Sequence, residues 1–389
     1  MNRRDRGRRE FEGLIGAPPE DALAEVRLRS PQLYDTVLDS AASTLAHAEL
    51  GRADREIATV AILAAIGGAE AQLARHTKSA LGQGVSPAEL RALCEHVALY
   101  AGFPRGLNAL AMVDRALTDA GLPRPPRTSQ VTLADHETLV AQRGEAGPAV
   151  LLVHSLGVDW CMWEPVLDRI AEGRRVFAYD LRGHGHAAGA PTPFTMADTA
   201  RDLVGVLDAL GLDRAHVVGL SLGGAIAQAA AVAYPERVES LALLATVDVT
   251  FPEAFEARAV AAEAHGMRAM VASTLTRWFT ADALAENGWG VRYARERLLR
   301  FDPADWAAMW RAYRTLDVRG RLGEFSAPTL VLAGGADAAI RPEVLSDLAG
   351  RIPGARFQEL PATPHMQTLE RPELVADALN GFLPAAGRP

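Results

Sequence analysis

The chain has 389 residues, of which 49% are hydrophobic and 23% charged, and its net charge is −8. This balance excludes a chain that is mainly disordered, because it has ample apolar material for a buried core. The acidic balance argues against a nucleic-acid-binding protein, since such domains are usually basic. No apolar run is long enough for a membrane-spanning helix, and the charged N-terminal segment lacks the apolar stretch of a secretory signal.

The chain contains two cysteines, Cys94 and Cys161, which are far apart and form no CxxC pair. Two isolated cysteines do not make a disulfide framework or a zinc site, and they fit a reducing compartment. We therefore expect a cytoplasmic protein that binds no metal.

The first third of the chain has the three- and four-residue apolar spacing of amphipathic helices. The stretches with this spacing are 20–48, 52–66, 69–83, 87–101 and 104–120. Ser86, Pro87 and Glu89 form a helix start, with an N-cap, a first-turn proline and a capping-box glutamate. The sequence therefore predicts an all-α domain over 1–122. A frayed tail is expected at its start, where the basic residues are Arg3, Arg4, Arg6, Arg8 and Arg9.

A proline-rich segment, 123–130, separates this domain from a different pattern and predicts a linker. Short apolar runs alternate with helical stretches beyond it, which indicates a parallel sheet with helices on both faces. These runs are 150–154, 176–180, 216–219, 241–244 and 329–333. The stretch 248–320 is helical and rich in aromatic residues. We expect an α/β domain over 131–389 with a helical cap at about 248–320.

Gly219, Ser221 and Gly223 stand between a predicted strand and a helix of small residues. This is the context of a nucleophile elbow, in which a tight turn exposes the serine and the glycines admit neighbouring backbone. Asp337 and His365 each follow a later strand. The order Ser, Asp, His is that of α/β-hydrolases, so these three residues are the predicted catalytic set.

The loop 154–157 follows the first strong strand. In this fold that loop and the residue after the nucleophile supply the oxyanion-hole N–H groups. We therefore predict that the backbone N–H groups of Leu156 and Leu222 hold the oxyanion. A haloalkane dehalogenase is excluded, because its nucleophile would be an aspartate in place of Ser221.

The region from about 130 to 384 resembles the 3-oxoadipate enol-lactonases. The resemblance is carried by 154–163, 219–223, 277–280 and 317–319. It implies an aromatic cap over a small anionic enol-lactone, with Trp278 and Trp163 as substrate contacts. An anionic substrate also requires arginines that face the pocket, and the candidates are Arg277, Arg292 and Arg319.

The region from about 30 to 120 resembles the carboxymuconolactone decarboxylase family. The resemblance is carried by 55–61, 67–70, His76, 84–90 and 96–108. It implies an all-α fold that assembles into homo-oligomers. One branch of this family uses a CxxC pair, but the corresponding run here, 69–72, has no thiol, which excludes disulfide chemistry.

The same resemblance implies that His76 and Glu70 are catalytic. Glu56 and His96 lie in the matching stretches and are predicted to bind substrate. Arg105 is predicted to bind substrate as well, because a guanidinium can hold a carboxylate through two hydrogen bonds. Decarboxylation of the lactone needs no cofactor, because the electrons that CO2 leaves behind delocalise into the unsaturated ring.

The two halves together predict a bifunctional enzyme of protocatechuate breakdown. It would decarboxylate 4-carboxymuconolactone and hydrolyse the resulting enol-lactone. The usual fusion has the lactonase first, whereas this chain has it last. That reversal keeps open a serine hydrolase acting on a related lactone or ester in a biosynthetic pathway, with the helical domain as an oligomerisation module. The expected partner is a small-molecule lactone, with no nucleic acid and no membrane.

Overall fold

The computed structural model describes residues 2–45 and 49–385. It separates into two compact units, Met1–Pro125 and Pro126–Pro389, which we call the helical unit and the α/β unit. Residues 46–48, at the end of the predicted helical stretch 20–48, lie outside the described residues. So do residues 386–389, at the end of the predicted α/β domain. No helix in the described part of the chain is both long and apolar enough to cross a membrane.

The helical unit confirms the predicted all-α fold. Its helices are α1 (Arg3–Ile15), α2 (Pro19–Ala22), α3 (Ala24–Arg29), α4 (Pro31–Ser40), α5 (Arg52–Ile66), α6 (Glu70–Gly82), α7 (Pro87–Ala101) and α8 (Phe103–Asp119). Helices α5 to α8 correspond to predicted stretches, and they enclose a core around Val60, Leu90 and Val113. The predicted stretch 20–48 is divided, because the residue before Pro31 is kept out of the helical region and α3 ends there.

The prediction of a frayed N-terminal tail is wrong. The side chain of Asn2 caps α1 by accepting from the Asp5 N–H at 2.8 Å, and Phe11 and Leu14 on the inner face are buried. Its arginines pair with acidic residues of the same unit; the pairs are Arg3–Asp39, Arg4–Asp35 and Arg8–Glu20. Tertiary packing stabilises this helix, and a count of charges does not reveal such packing.

The α/β unit is built on an eight-stranded sheet in the order β1-β2-β4-β3-β5-β6-β7-β8. The strands are β1 (Arg127–Thr132), β2 (Glu137–Arg143), β3 (Ala149–Val153), β4 (Arg175–Tyr179), β5 (Ala215–Leu220), β6 (Val238–Leu244), β7 (Thr329–Gly334) and β8 (Arg356–Leu360). The predicted parallel strands are confirmed as β3 to β7, and β3, β5 and β7 are buried along their whole length.

The sequence does not predict the antiparallel strands β1 and β2. Five of the six residues of β1 are exposed, so it has no apolar run to mark it. It begins at Arg127, inside the predicted linker, and pairs with β2, which in turn pairs with β4. Pairing with the edge of the sheet rather than burial makes this segment a strand.

The helices of the α/β unit are α9 (Glu164–Ile170), α10 (Met196–Ala209), α11 (Leu222–Ala233), α12 (Pro252–Trp278), α13 (Ala281–Glu286), α14 (Trp289–Arg300), α15 (Pro303–Tyr313), α16 (Pro342–Arg351), α17 (Gln367–Glu370) and α18 (Pro372–Asn380). Helices α12 to α15 lie between β6 and β7 and form the predicted cap. Helix α12 has two arms, because Gly266 interrupts it with φ 70° and ψ 167°.

Candidate active site

Ser221 lies in a tight turn between β5 and α11. Its φ of 54° and ψ of −115° are strained for a residue with a side chain. Two hydrogen bonds hold this conformation. The Ser221 N–H donates to the Leu244 carbonyl at 2.8 Å, and the Ser221 carbonyl accepts from the Thr246 hydroxyl at 2.7 Å. The turn therefore places the serine at the carboxyl edge of the parallel strands.

Gly219 and Gly223 are sterically required by the same turn. A Cβ on Gly219 would lie 2.3 Å from the Gly223 carbonyl oxygen, and a Cβ on Gly223 would lie 2.1 Å from the Val153 carbonyl oxygen. Both clashes are with backbone, which cannot rotate away as a side chain can. The spacing of the two glycines around Ser221 thus reflects the close approach of β3, β5 and α11.

His365 connects Ser221 with Asp337. Its Nε2 lies 3.0 Å from Ser221 Oγ, and its Nδ1 lies 2.9 Å from Asp337 Oδ2. The Oδ1 of Asp337 accepts from the N–H groups of Ala339 and Ile340 at 2.7 and 2.8 Å. These bonds fix the buried carboxylate, which favours the tautomer with the proton on Nδ1 and the Nε2 lone pair toward the serine. The structure thus brings together the three residues that chain order singles out.

The predicted oxyanion N–H groups belong to Leu156 and Leu222. Leu222 is the first residue of α11, so its N–H has no acceptor within the helix. Leu156 lines the same cavity as Ser221, and within residues 2–45 and 49–385 no acceptor is found for its N–H. Both N–H groups are therefore available to an oxygen bound beside the serine.

Two buried histidines hold the loop that carries Leu156. Nε2 of His184 accepts from the Gly157 N–H at 3.1 Å, and Nε2 of His154 accepts from the Leu181 N–H at 2.9 Å. Each Nδ1 donates to a backbone carbonyl. Burial lowers the pKa of His184 to about 3 and the pKa of His154 to about 4. Both imidazoles are therefore neutral at neutral pH, as acceptance at Nε2 requires.

A cavity of about 320 Å³ opens above Ser221 and His365. Aromatic side chains of the cap region make up much of its wall; they are Phe251, Phe255, Trp278, Trp306, Trp310 and Tyr313. Of the two predicted aromatic contacts, Trp278 lines the cavity and Trp163 does not. Trp163 is wholly buried in the hydrophobic core, so the prediction for it is wrong. It ends a 3₁₀ turn that packs inward, and sequence spacing does not give that direction.

The three predicted cap arginines also differ in whether they line the cavity. Arg277 lines the cavity, whereas Arg292 and Arg319 do not. Arg319 instead pairs with Asp248, at 3.7 Å. The structure adds Arg258, which sequence reasoning missed. A signal for it was present, because a residue three positions after an aromatic on a helix shares its face, and Phe255 is that aromatic.

In the helical unit, His76 pairs with Glu56 rather than with Glu70. Nδ1 of His76 on α6 lies 2.8 Å from Oε2 of Glu56 on α5. Glu56 is wholly buried, and among the described residues its Oε1 has no hydrogen-bond partner. His76 also lines a cleft of about 740 Å³ whose other walls include residues of α1, α3 and α4. Glu70 lies six residues before His76 on the same helix, and this spacing places the two side chains on different faces.

The other predicted residues of the helical unit lie elsewhere. Glu70 and Arg105 line a separate cleft of about 710 Å³. Arg105 donates a hydrogen bond to the Ile66 carbonyl. His96 is exposed on α7 and lines neither cleft. Its ring packs at a tilt against the ring of Tyr100, with ring centroids 4.8 Å apart. The five predicted residues therefore do not form a single site.

In the described part of the chain, one group of side chains comes close enough together to hold a metal ion. It consists of Asp135, His136 and Asp202. The Arg182 guanidinium bonds to both carboxylates, at 2.6 and 2.8 Å to Asp202 and at 3.2 and 3.4 Å to Asp135. Because this cation is already bound to both carboxylates and offsets part of their charge, the group does not fit a metal site.

Comparison with known proteins agrees with this geometry. The α/β hydrolase fold family matches residues 148–372, which is more than half of the chain. The chain belongs to this family. Residues 31–115, in the helical unit, match the carboxymuconolactone decarboxylase family.

The relatives of this α/β hydrolase have names that refer to different substrates, a lactone in some and a carbamate in others. 3-Oxoadipate enol-lactonase 1 of Acinetobacter baylyi is 31% identical over 240 residues, which cover 61% of this chain and 90% of that protein. The putative carbamate hydrolase RutD of Variovorax paradoxus is 33% identical over 250 residues, covering 62% and 94%. The crystal structure of the enol-lactonase from Burkholderia xenovorans matches with a TM-score of 0.63 and 32% identity, covering 65% of this chain and 99% of that chain.

Replacement of Gly223 by alanine is expected to destabilise the α/β hydrolase unit by about 3 kcal/mol or more, because the new methyl group meets backbone. Gly350→Ala is the matched control, since its Cβ would meet open space on α16 and helix propensity favours alanine by up to about 1 kcal/mol. Urea unfolding followed by tryptophan fluorescence measures both, because all six tryptophans lie in this unit. Equal midpoints for Gly223→Ala and the wild type would contradict the steric argument.

The neutral histidines predict a loss of stability in acid. Because burial lowers the folded pKa of His184 and His154, the unfolded chain binds more protons. The contribution of the two histidines to the free energy of unfolding is complete above about pH 6.5. It is lost as the pH falls toward 4, by up to about 1.4 kcal/mol per pH unit for each histidine. The free energy of unfolding, measured by tryptophan fluorescence at pH 7 and pH 5, checks this.

His184→Gln keeps an acceptor for the Gly157 N–H but does not titrate, so the pH slope is expected to be shallower. His265→Gln, at an exposed position of α12, serves as the control and keeps the wild-type slope. The same slope in all three proteins would contradict the assignment.

Proposed function

We propose that the α/β unit is a serine hydrolase that opens 3-oxoadipate enol-lactone, with Ser221 as the nucleophile. The observation that carries the proposal is the pair of hydrogen bonds that join His365 to Ser221 and to Asp337 at the floor of the capped cavity. A serine hydroxyl alone is a weak nucleophile, and this arrangement supplies a base and the carboxylate that orients it. Similarity to two enol-lactonases supports the lactone substrate.

In the proposed reaction, Ser221 Oγ attacks the lactone carbonyl carbon while His365 Nε2 takes the hydroxyl proton. The N–H groups of Leu156 and Leu222 donate to the resulting oxyanion. The ring C–O bond then breaks, the enol oxygen receives the proton from His365, and the acyl group stays on Ser221. Water, deprotonated by His365, releases the acid, and the enol tautomerises to the 3-oxo acid.

We further propose that the helical unit decarboxylates 4-carboxymuconolactone at His76 and Glu56. Release of CO2 leaves an electron pair delocalised over the unsaturated lactone as a dienolate, which must gain one proton. Because Glu56 engages Nδ1, the Nε2 of His76 is the nitrogen left to deliver that proton. The match to the decarboxylase family supports this half of the proposal.

The two proposed reactions are consecutive, because the product of decarboxylation is the lactone that the hydrolase opens. A chain with both activities converts 4-carboxymuconolactone into 3-oxoadipate and CO2, as protocatechuate breakdown requires. The lactone product is labile, so a single protein that makes and consumes it limits its loss.

The second candidate function is a serine hydrolase of a related lactone or ester whose helical unit serves for oligomerisation. Its oligomerisation role is supported by large apolar side chains exposed near the ends of three helices, namely Ile62, Ile66, Leu99, Tyr100, Phe103 and Leu107. Such exposed apolar groups mark protein–protein contacts. Under either candidate function we propose that further copies of this chain cover them.

Ser221→Ala, incubated with 4-carboxymuconolactone, is expected to release CO2 and accumulate the enol-lactone. Loss of the nucleophile lowers the rate of lactone opening by about 10⁴-fold or more. The rate of CO2 release and the products by NMR measure the two steps separately. Continued lactone opening by Ser221→Ala would contradict the role of this serine.

Glu56→Gln is expected to lower the rate of CO2 release by about 100-fold, because His76 loses the carboxylate that contacts its Nδ1 and orients its ring. Glu70→Gln is the matched control and is expected to stay within about twofold of the wild type, because Glu70 lies in the other cleft. Circular dichroism establishes that both variants are folded. Equal losses in the two variants would contradict the Glu56–His76 assignment, and no CO2 from the wild type would favour the second candidate function.

A further inference from the structure

Two arginines in the cavity wall have no carboxylate partner in the described part of the chain. Arg258 lies on the first arm of α12 and Arg277 on the second, and both are half-buried. Arg277 donates to the Ser273 carbonyl at 3.2 Å, a bond that leaves its charge uncompensated. The wall of the cavity above the serine therefore contains two half-buried positive charges without a counter-ion.

Other arginines of the cap do have acidic partners. Arg311 bonds to Glu256 and Glu263 at 2.6 to 3.1 Å, and Arg297 contacts Asp159. Acidic partners are thus available to arginines within the cap, and among the described residues neither Arg258 nor Arg277 has one.

The environment of the two cavity arginines disfavours their charge. Burial, with a further contribution from the charge of Arg277, lowers the pKa of Arg258 to about 10. Burial also lowers the pKa of Arg277. The Arg258 guanidinium lies 4.6 Å from the centre of the Trp310 ring, which supports it against the wall. A cation that is partly withdrawn from water without a counter-ion is costly, and a bound anion relieves that cost.

We propose that Arg258 and Arg277 bind a carboxylate of the substrate and so determine its class, a small lactone or ester that carries a carboxylate near the bond to be cleaved. This inference rests on the proposed hydrolase function of Ser221. A carboxylate held at the wall fixes the orientation of the ester group over the serine. A neutral ester or carbamate leaves both cations unpaired and is expected to be a poorer substrate.

The volume of the cavity supports a small substrate. About 320 Å³ is at the lower end of the range for small-molecule sites. Arg341 also lines the cavity but is exposed, so water screens its charge more than the charges of the two half-buried arginines.

The test compares kcat/KM for two esters of similar size, 4-nitrophenyl hemisuccinate, which is anionic, and 4-nitrophenyl butyrate, which is neutral. The wild type is expected to prefer the anionic ester. Arg258→Gln and Arg277→Gln are each expected to lower the anionic-to-neutral ratio at least about tenfold, mainly through KM, because a charge-assisted hydrogen bond is lost. Arg258→Lys is expected to retain part of the preference. Arg268→Gln, on the exposed face of α12, is the matched control and keeps the wild-type ratio.

A binding measurement makes the inference independent of turnover. Calorimetry with Ser221→Ala and adipate, a six-carbon dicarboxylate, is expected to show binding that weakens at least about tenfold when Arg258→Gln or Arg277→Gln is added. Binding of adipate that depends on the arginines, without hydrolysis of either ester by the wild type, would support the anion site and contradict the hydrolase function. Hydrolysis of both esters with no anionic preference and no arginine-dependent adipate binding would overturn the inference while the hydrolase function stands.

Discussion

The strained backbone of Ser221 is the constraint on which the α/β unit depends. A serine with positive φ persists only where its surroundings hold it, and here β6 and the residues after it supply the hydrogen bonds. The same turn brings Gly223 against the backbone of Val153, so β3, β5 and α11 meet with no room for a side chain. The geometry of the Ser221 turn and the packing of the central strands are therefore one arrangement.

The loops around this turn are stabilised in different ways. Asp337 is held by backbone N–H groups of its own loop, so the carboxylate is fixed before any substrate binds. The loop that carries Leu156 is held by the neutral imidazole of His184, whose own orientation depends on a backbone carbonyl. Under the proposed mechanism, preorganisation of both loops means that no reorganisation is needed when charge develops on the substrate. The cap adds aromatic walls and two cations above this rigid floor.

The residues that could be predicted from sequence are those whose position follows from chain order and local turns. Ser221, Asp337 and His365 belong to this class, because each stands just beyond a strand of one parallel sheet and such ends share an edge. The Glu56–His76 contact belongs to another class. Its two residues are twenty positions apart on different helices, and only the packing of α5 on α6 brings them together.

Side-chain direction sets a second limit on prediction. Trp163 and Trp278 are both aromatic residues of recognisable segments, but one points into the core and the other into the cavity. Arg258 and Arg277 come from two arms of a helix that Gly266 interrupts, so helical periodicity across the whole segment does not align them. Helix α1 shows a related limit. Its sequence has the composition of a charged tail, but partners far along the chain stabilise it as a helix.

The most direct test of the account is the mass of the protein during turnover. A reaction with 3-oxoadipate enol-lactone, quenched within one turnover, digested and analysed by mass spectrometry, is expected to yield an adduct on the peptide that contains Ser221. The added mass equals that of the whole lactone, because ring opening releases no fragment. The same product formed with no adduct on Ser221, or with an adduct on another residue, would contradict the account.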